Sequence, residues 1–144
     1  RNQARNRNPN KYIYKIKNVK YFGHGWPENF EIAKLDELSI LYNRAIVCPN
    51  FHGINQKSDF CMLNERTYQI IACGGFQVCD YVPGIENYFE ENTLLWEKST
   101  KEWRGKIKYY INHPIERQKY IQNGLKHVQK YSYHKIMKDF IKLL

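Results

Sequence analysis

No aspartate or glutamate occurs among the first 20 residues, and only Glu116 and Asp139 occur among the last 41. Those ends carry seven and ten Lys or Arg, so their charges are +7 and +8. Residues 21–103 hold six bases and twelve acids, a charge of −6. Basic ends suit an anionic partner or a membrane surface, but solvated helix faces beside a frayed tail are the plainer and favoured reading. The acidic middle argues against one continuous polyanion-binding surface, so no stable nucleic-acid partner is expected. Long apolar runs are missing as well: no stretch of about 18 residues reads as a membrane span. No charged-then-apolar leader opens the chain. The four cysteines, Cys48, Cys61, Cys73 and Cys79, form no C-x-x-C pair. That spacing argues against zinc, and no metal or cofactor is expected. Cys48, Cys73 and Cys79 sit in apolar runs, as small core residues in a reducing compartment do, so the expected location is cytoplasmic. The first residue is Arg rather than Met, the start expected of a fragment or a processed chain.

What the chain does have is 144 residues, 12 of them Tyr, which is enough for one domain with a real core. A basic segment over 1–18 is expected to precede a single domain over 19–144. Within 19–22 a strand is predicted, stopped by Gly23-His24-Gly25-Trp26-Pro27. A helix starting near Asp36 would turn Leu38, Leu41 and Tyr42 inward. Residues 45–51 read as a second strand, with Ile46 and Val47 suited to a buried parallel position. Residues 53–60 read as a polar loop.

The densest information lies in residues 64–80. Tyr68, Ile71 and Ala72 are three and four apart and predict one helical face. Gly74-Gly75 ends that helix, and residues 76–78 form the next strand. Further on, 84–89 predicts a short helix and 93–96 a fourth strand. Ser99-Thr100-Lys101-Glu102 is a capping box for a helix carrying Trp103, Ile107, Tyr110 and Ile111. Pro114 suits the first turn of the following helix, whose stripe is Ile121, Leu125 and Val128 and which Asn123-Gly124 weakens. Ser132 caps a last helix, with Ile136, Met137, Phe140, Ile141 and Leu144 expected to face inward.

Strands alternating with helices at this spacing predict an α/β fold: a Rossmann-like parallel sheet with helices on both faces. Ligands of such sheets bind beyond the carboxyl ends of the strands. Here those ends are residues 23–26, 50–53, 80–84 and 96–97. The helix over 64–73 would start on that rim, where its free amides and positive dipole end suit a phosphate. Arg66 adds a planar charge there. Helix–strand packing without any ligand explains the same segment equally well.

The order of motifs resembles the C-terminal domain of group 1 glycosyltransferases of the GT-B fold, most nearly the spore-maturation, CgeB-like branch. The matching pieces begin with Tyr21-Phe22-Gly23-His24-Gly25-Trp26-Pro27 and Leu41-Tyr42-Asn43-Arg44-Ala45. They continue through Asn50-Phe51-His52, Asn64-Glu65-Arg66-Thr67-Tyr68-Gln69 and Ala72-Cys73-Gly74-Gly75-Phe76-Gln77. Asp80-Tyr81-Val82-Pro83-Gly84 and His113-Pro114-Ile115-Glu116-Arg117 close the series. The resemblance implies a domain that holds a nucleotide-diphosphate-sugar donor, with a separate acceptor domain upstream. Gln69 stands where the family has a carboxylate for the ribose hydroxyls. An amide there still donates and accepts, without charge-assisted strength. Cys61 stands where the wider family has a Glu near the sugar. These departures bear on catalysis more than on fold, and no catalytic residue is assigned.

The candidate donor-binding residues are therefore His24, Gly25, Asn50, His52, Asn64, Glu65, Arg66 and Gln69. Each has a plainer reading. His24 suits an ordinary turn, Asn50 and His52 suit loop capping, and Arg66 suits an ion pair with Glu65 or Asp59. Two other functional classes fit the sequence: a non-catalytic interaction domain of the same fold, and a basic nucleic-acid module.

Overall fold

The computed structural model describes residues 16, 18–22, 30–34, 36–59 and 61–143. Within them the order is β1 (Tyr21–Phe22), β2 (Phe30–Glu31), α1 (Leu38–Arg44), β3 (Cys48–Asn50), α2 (Ile54–Ser58), α3 (Glu65–Ala72), β4 (Gln77–Asp80), β5 (Leu95–Glu97), α4 (Thr100–Ile111), α5 (Pro114–Val128) and α6 (Tyr133–Ile141). Single 3-10 turns occupy Ile85–Asn87 and Gln129–Tyr131. The chain divides into two compact units, Arg1–Leu38 and Ser39–Leu144. In the first, β1 and β2 pair in parallel, Tyr21 opposite Phe30.

The second unit carries a three-stranded parallel sheet in the order β3-β4-β5. Register sets Asn50 beside Cys79 and Cys79 beside Trp96. Side chains alternate along a strand, so β4 presents its two faces to different helices. The Gln77 amide donates to the Thr67 carbonyl of α3 at 3.0 Å. From the other face Phe76 meets Tyr110 of α4, ring centroids 4.9 Å apart, and the Trp103 indole of α4 donates to the Val78 carbonyl at 3.2 Å. The sheet is thus covered on both sides, the α/β arrangement expected.

Ile71, Cys79, Ile85, Phe89, Leu94 and Val128 form the core on the α3 side. Burying a side chain such as Phe89 or Ile71 contributes about 2 kcal/mol. Helix ends follow local chemistry. The Ser99 hydroxyl accepts from the Glu102 amide at 3.2 Å and donates to its carboxylate at 2.7 Å, the reciprocal capping box. At the end of α3 the Gly75 amide bonds the Ile70 carbonyl and the Gly74 amide the Ile71 carbonyl, both 2.9 Å. That is a Schellman motif, and it needs the left-handed φ of 73° that Gly74 supplies.

Four expectations change. Residues 54–58 are helical, because the Gly53 amide bonds the Gln56 side chain at 2.8 Å and starts a turn that the polar sequence does not advertise. The strand expected over 45–51 is confined to Cys48–Asn50, with Ile46 exposed. Gly124 is a contact rather than a weakness: a β-carbon there would lie 2.8 Å from the Thr93 carbonyl oxygen and 2.9 Å from Ile71 Cγ2. Finally, α6 turns no residue inward. Ile136, Met137, Phe140 and Ile141 are exposed, Phe140 at 53% and Ile141 at 63%. Periodicity gave α6 an apolar face, but among the described residues nothing packs over it. Leu144 lies outside the described residues.

Candidate functional site

The carboxyl ends of β3, β4 and β5 place Asn50, Asp80 and Glu97 on one rim of the sheet. The amino end of α3 reaches the same rim, because Asn64, its N-cap, is tied to the residues leaving β3. Asn64 Nδ2 donates to Asn50 Oδ1 and to the Phe51 carbonyl, both at 3.1 Å. Asn64 Oδ1 accepts from the Thr67 amide at 3.1 Å, which satisfies one of the helix's unpaired donors.

Behind this cap lies a buried polar network. Asn50 and Thr67 are both 0% exposed. Asn50 Nδ2 faces Gln77 Oε1 at 2.7 Å, Thr67 Oγ1 at 3.0 Å and Asn64 Oδ1 at 3.1 Å. Buried amides of this kind are stable only when partnered, and no buried side-chain polar atom among the described residues lacks a partner.

His52 links the network to β4. Its amide donates to Asp80 Oδ1 at 3.0 Å, and its Nδ1 lies 2.7 Å from the same oxygen. A carboxylate only accepts, so the proton sits on Nδ1. Nε2 then faces Thr67 Oγ1 at 3.2 Å. Asp80 Oδ2 takes an ion pair from Lys57 of α2. The chain Lys57–Asp80–His52–Thr67 thus runs from α2 across the strand ends to the first turn of α3.

The structure brings Asn50, His52 and Asn64 together in this network. Glu65 is exposed at the helix tip, while Arg66 and Gln69 are half-buried. Arg66 lies within electrostatic reach of Tyr42: burial pushes the Tyr42 hydroxyl up, and the guanidinium pulls against it. His24 and Gly25 lie outside the described residues. Cys61 is exposed.

Sequence reading placed Asp80 at a candidate strand end without giving it a role, and missed Lys57, Thr67 and Gln77. Gln77 and Asp80 carried a signal, being polar residues inside an apolar strand segment. Lys57 carried none. At the other end of the rim Glu97 faces Lys106 of α4 at 3.7 Å. Burial raises the Glu97 carboxyl, and Lys106 draws it back down.

No helix among the described residues is long and apolar enough to cross a membrane. No curated protein and no solved structure matches the chain. A family model described as glycosyl transferase-like matches residues 3–142. With nearly the whole chain inside that match, and a parallel α/β sheet beneath it, the chain belongs to the glycosyl transferase-like family.

Proposed function

We propose that this chain is the donor half of a two-domain GT-B glycosyltransferase and holds the diphosphate of a nucleotide-sugar donor at the amino end of α3. The acceptor domain would lie upstream, as in the group 1, CgeB-like enzymes it resembles. The observation that carries the reading is the meeting of α3's first turn with the ends of β3 and β4 on one rim, in a chain of this family.

Glycosyl transfer leaves negative charge on the departing diphosphate. Backbone donors at a helix start, with a guanidinium beside them, stabilise that charge without a metal. Arg66 takes the second role. Asn50, Asn64 and His52 hold the strand-to-helix junction so that the amides keep their direction. Gln69, one turn into α3, supplies an amide for the ribose hydroxyls. The free thiols Cys48, Cys61, Cys73 and Cys79 suit a cytoplasmic setting.

A thermal-shift panel of uridine, guanosine, adenosine and thymidine diphosphates tests this. One of them should raise the melting temperature, and Arg66→Ala should remove most of that rise. Sugar transfer by the chain alone is not expected, because the acceptor groups lie upstream. No shift with any diphosphate would favour the interaction-domain alternative, and salt-sensitive binding of single-stranded oligonucleotides would favour the nucleic-acid module.

A further inference from the structure

Lys57 does more than its ion pair requires. Asp80 Oδ1 already accepts twice from His52, through the backbone amide at 3.0 Å and the ring at 2.7 Å. Those two bonds satisfy a buried carboxylate's first oxygen without a lysine. Yet α2 carries Lys57 to Oδ2, leaving its side chain 33% exposed while the Asp80 side chain is 11% exposed. The Lys57 side chain therefore covers a buried carboxylate while remaining partly open to solvent, on the rim that α3's first turn also occupies. Three further facts bear on what it does there. An ammonium carries three donors, and Asp80 Oδ2 engages one. A phosphate arriving at the β3–β4 rim would meet Asp80's negative charge unless a cation screens it. At the rim's other end Glu97 is also paired with a lysine, Lys106, at 3.7 Å, a looser contact than the one Lys57 makes with Asp80.

We infer that Lys57 is a second diphosphate-binding cation of this site, held in place by Asp80 and facing the donor's phosphates; the inference rests on the donor-binding reading above. Asp80 is the positioning residue. It fixes the ammonium over the strand ends, and His52 connects that carboxylate to Thr67 at the start of α3. Lys57 and the helix tip then approach the diphosphate from two sides of one network. Lys57 selects for phosphate, so its loss should weaken a nucleoside diphosphate and leave the bare nucleoside untouched.

The test is calorimetric titration of the chain with the diphosphate that gives the largest thermal shift, and with the matching nucleoside. Lys57→Met removes charge and ion pair together. Lys57→Gln keeps a donor toward Asp80 and removes only the charge, so it remains informative where Lys57→Met fails to fold. Both should lose about tenfold in diphosphate affinity, with nucleoside affinity unchanged and a shallower dependence on salt. A fall in melting temperature with the diphosphate-to-nucleoside ratio intact would leave Lys57 a structural ion pair and overturn the inference. Binding of no diphosphate by the unaltered chain would sink the donor reading itself, and this inference with it.

Discussion

Two regions of this molecule invert the usual rule of burial. At the rim of the sheet and in the network beneath it, Asn50, Thr67, Gln77, His52 and Asp80 are polar and buried. On α6, Ile136, Met137, Phe140 and Ile141 are apolar and exposed. Both are unusual, and unusual burial is more informative than ordinary burial. The polar region is internally complete, since each of its buried groups meets another side chain or a backbone group. The apolar region is incomplete among the described residues. What differs is where the free energy sits: the rim is held by hydrogen bonds lost together when one member goes, while α6 contributes little to the fold it is attached to.

The largest effect should come from breaking the rim. Asn50→Leu removes the amide shared by Asn64, Thr67 and Gln77, leaves buried groups unpaired, and should cost about 3 kcal/mol in denaturant unfolding. Next is α5, which separates the two regions in sequence. Gly124→Ala in an open helix would add nearly 1 kcal/mol of stability. Here the new methyl meets the Thr93 carbonyl and Ile71, so the sign should reverse to a loss of about 2 kcal/mol, read as a lower denaturant midpoint at constant slope. The smallest effect belongs to α6. The pair Ile136→Ser and Phe140→Ser should change stability by less than about 1 kcal/mol, while lowering the fluorescence of a dye that binds exposed apolar surface. A large loss of stability from that pair would mean that α6 is packed after all.

The sequence made some elements legible because their signals are local. Ser99 and Glu102 make a cap within four residues, and Gly74-Gly75 marks a helix end that needs a left-handed residue. Ser132 caps α6 as expected, its hydroxyl accepting from the Lys135 amide at 3.3 Å. Other features depend on what stands opposite. Periodicity gave α6 an apolar face but not a partner for it. Asn123-Gly124 reads as a weak point in α5 until Thr93, some 30 residues earlier, is seen against it. Residues 54–58 have no apolar period, so their helix, and Lys57 with it, was invisible. Asn50 and His52 were legible as residues at a strand end, whereas their partner Thr67 was read only as part of a helix. Their joining into one network is a property of the β3–β4 register and not of any one motif.

Donor binding as proposed requires a diphosphate resting at the first turn of α3. Amide nuclear magnetic resonance of the labelled chain, titrated with the four nucleoside diphosphates, tests that placement directly. The largest shifts should fall on the amides of Glu65, Arg66 and Thr67, with smaller ones at His52 and Lys57. Shifts centred on α6 or on the Glu97 end of the rim, with the start of α3 unmoved, would contradict it.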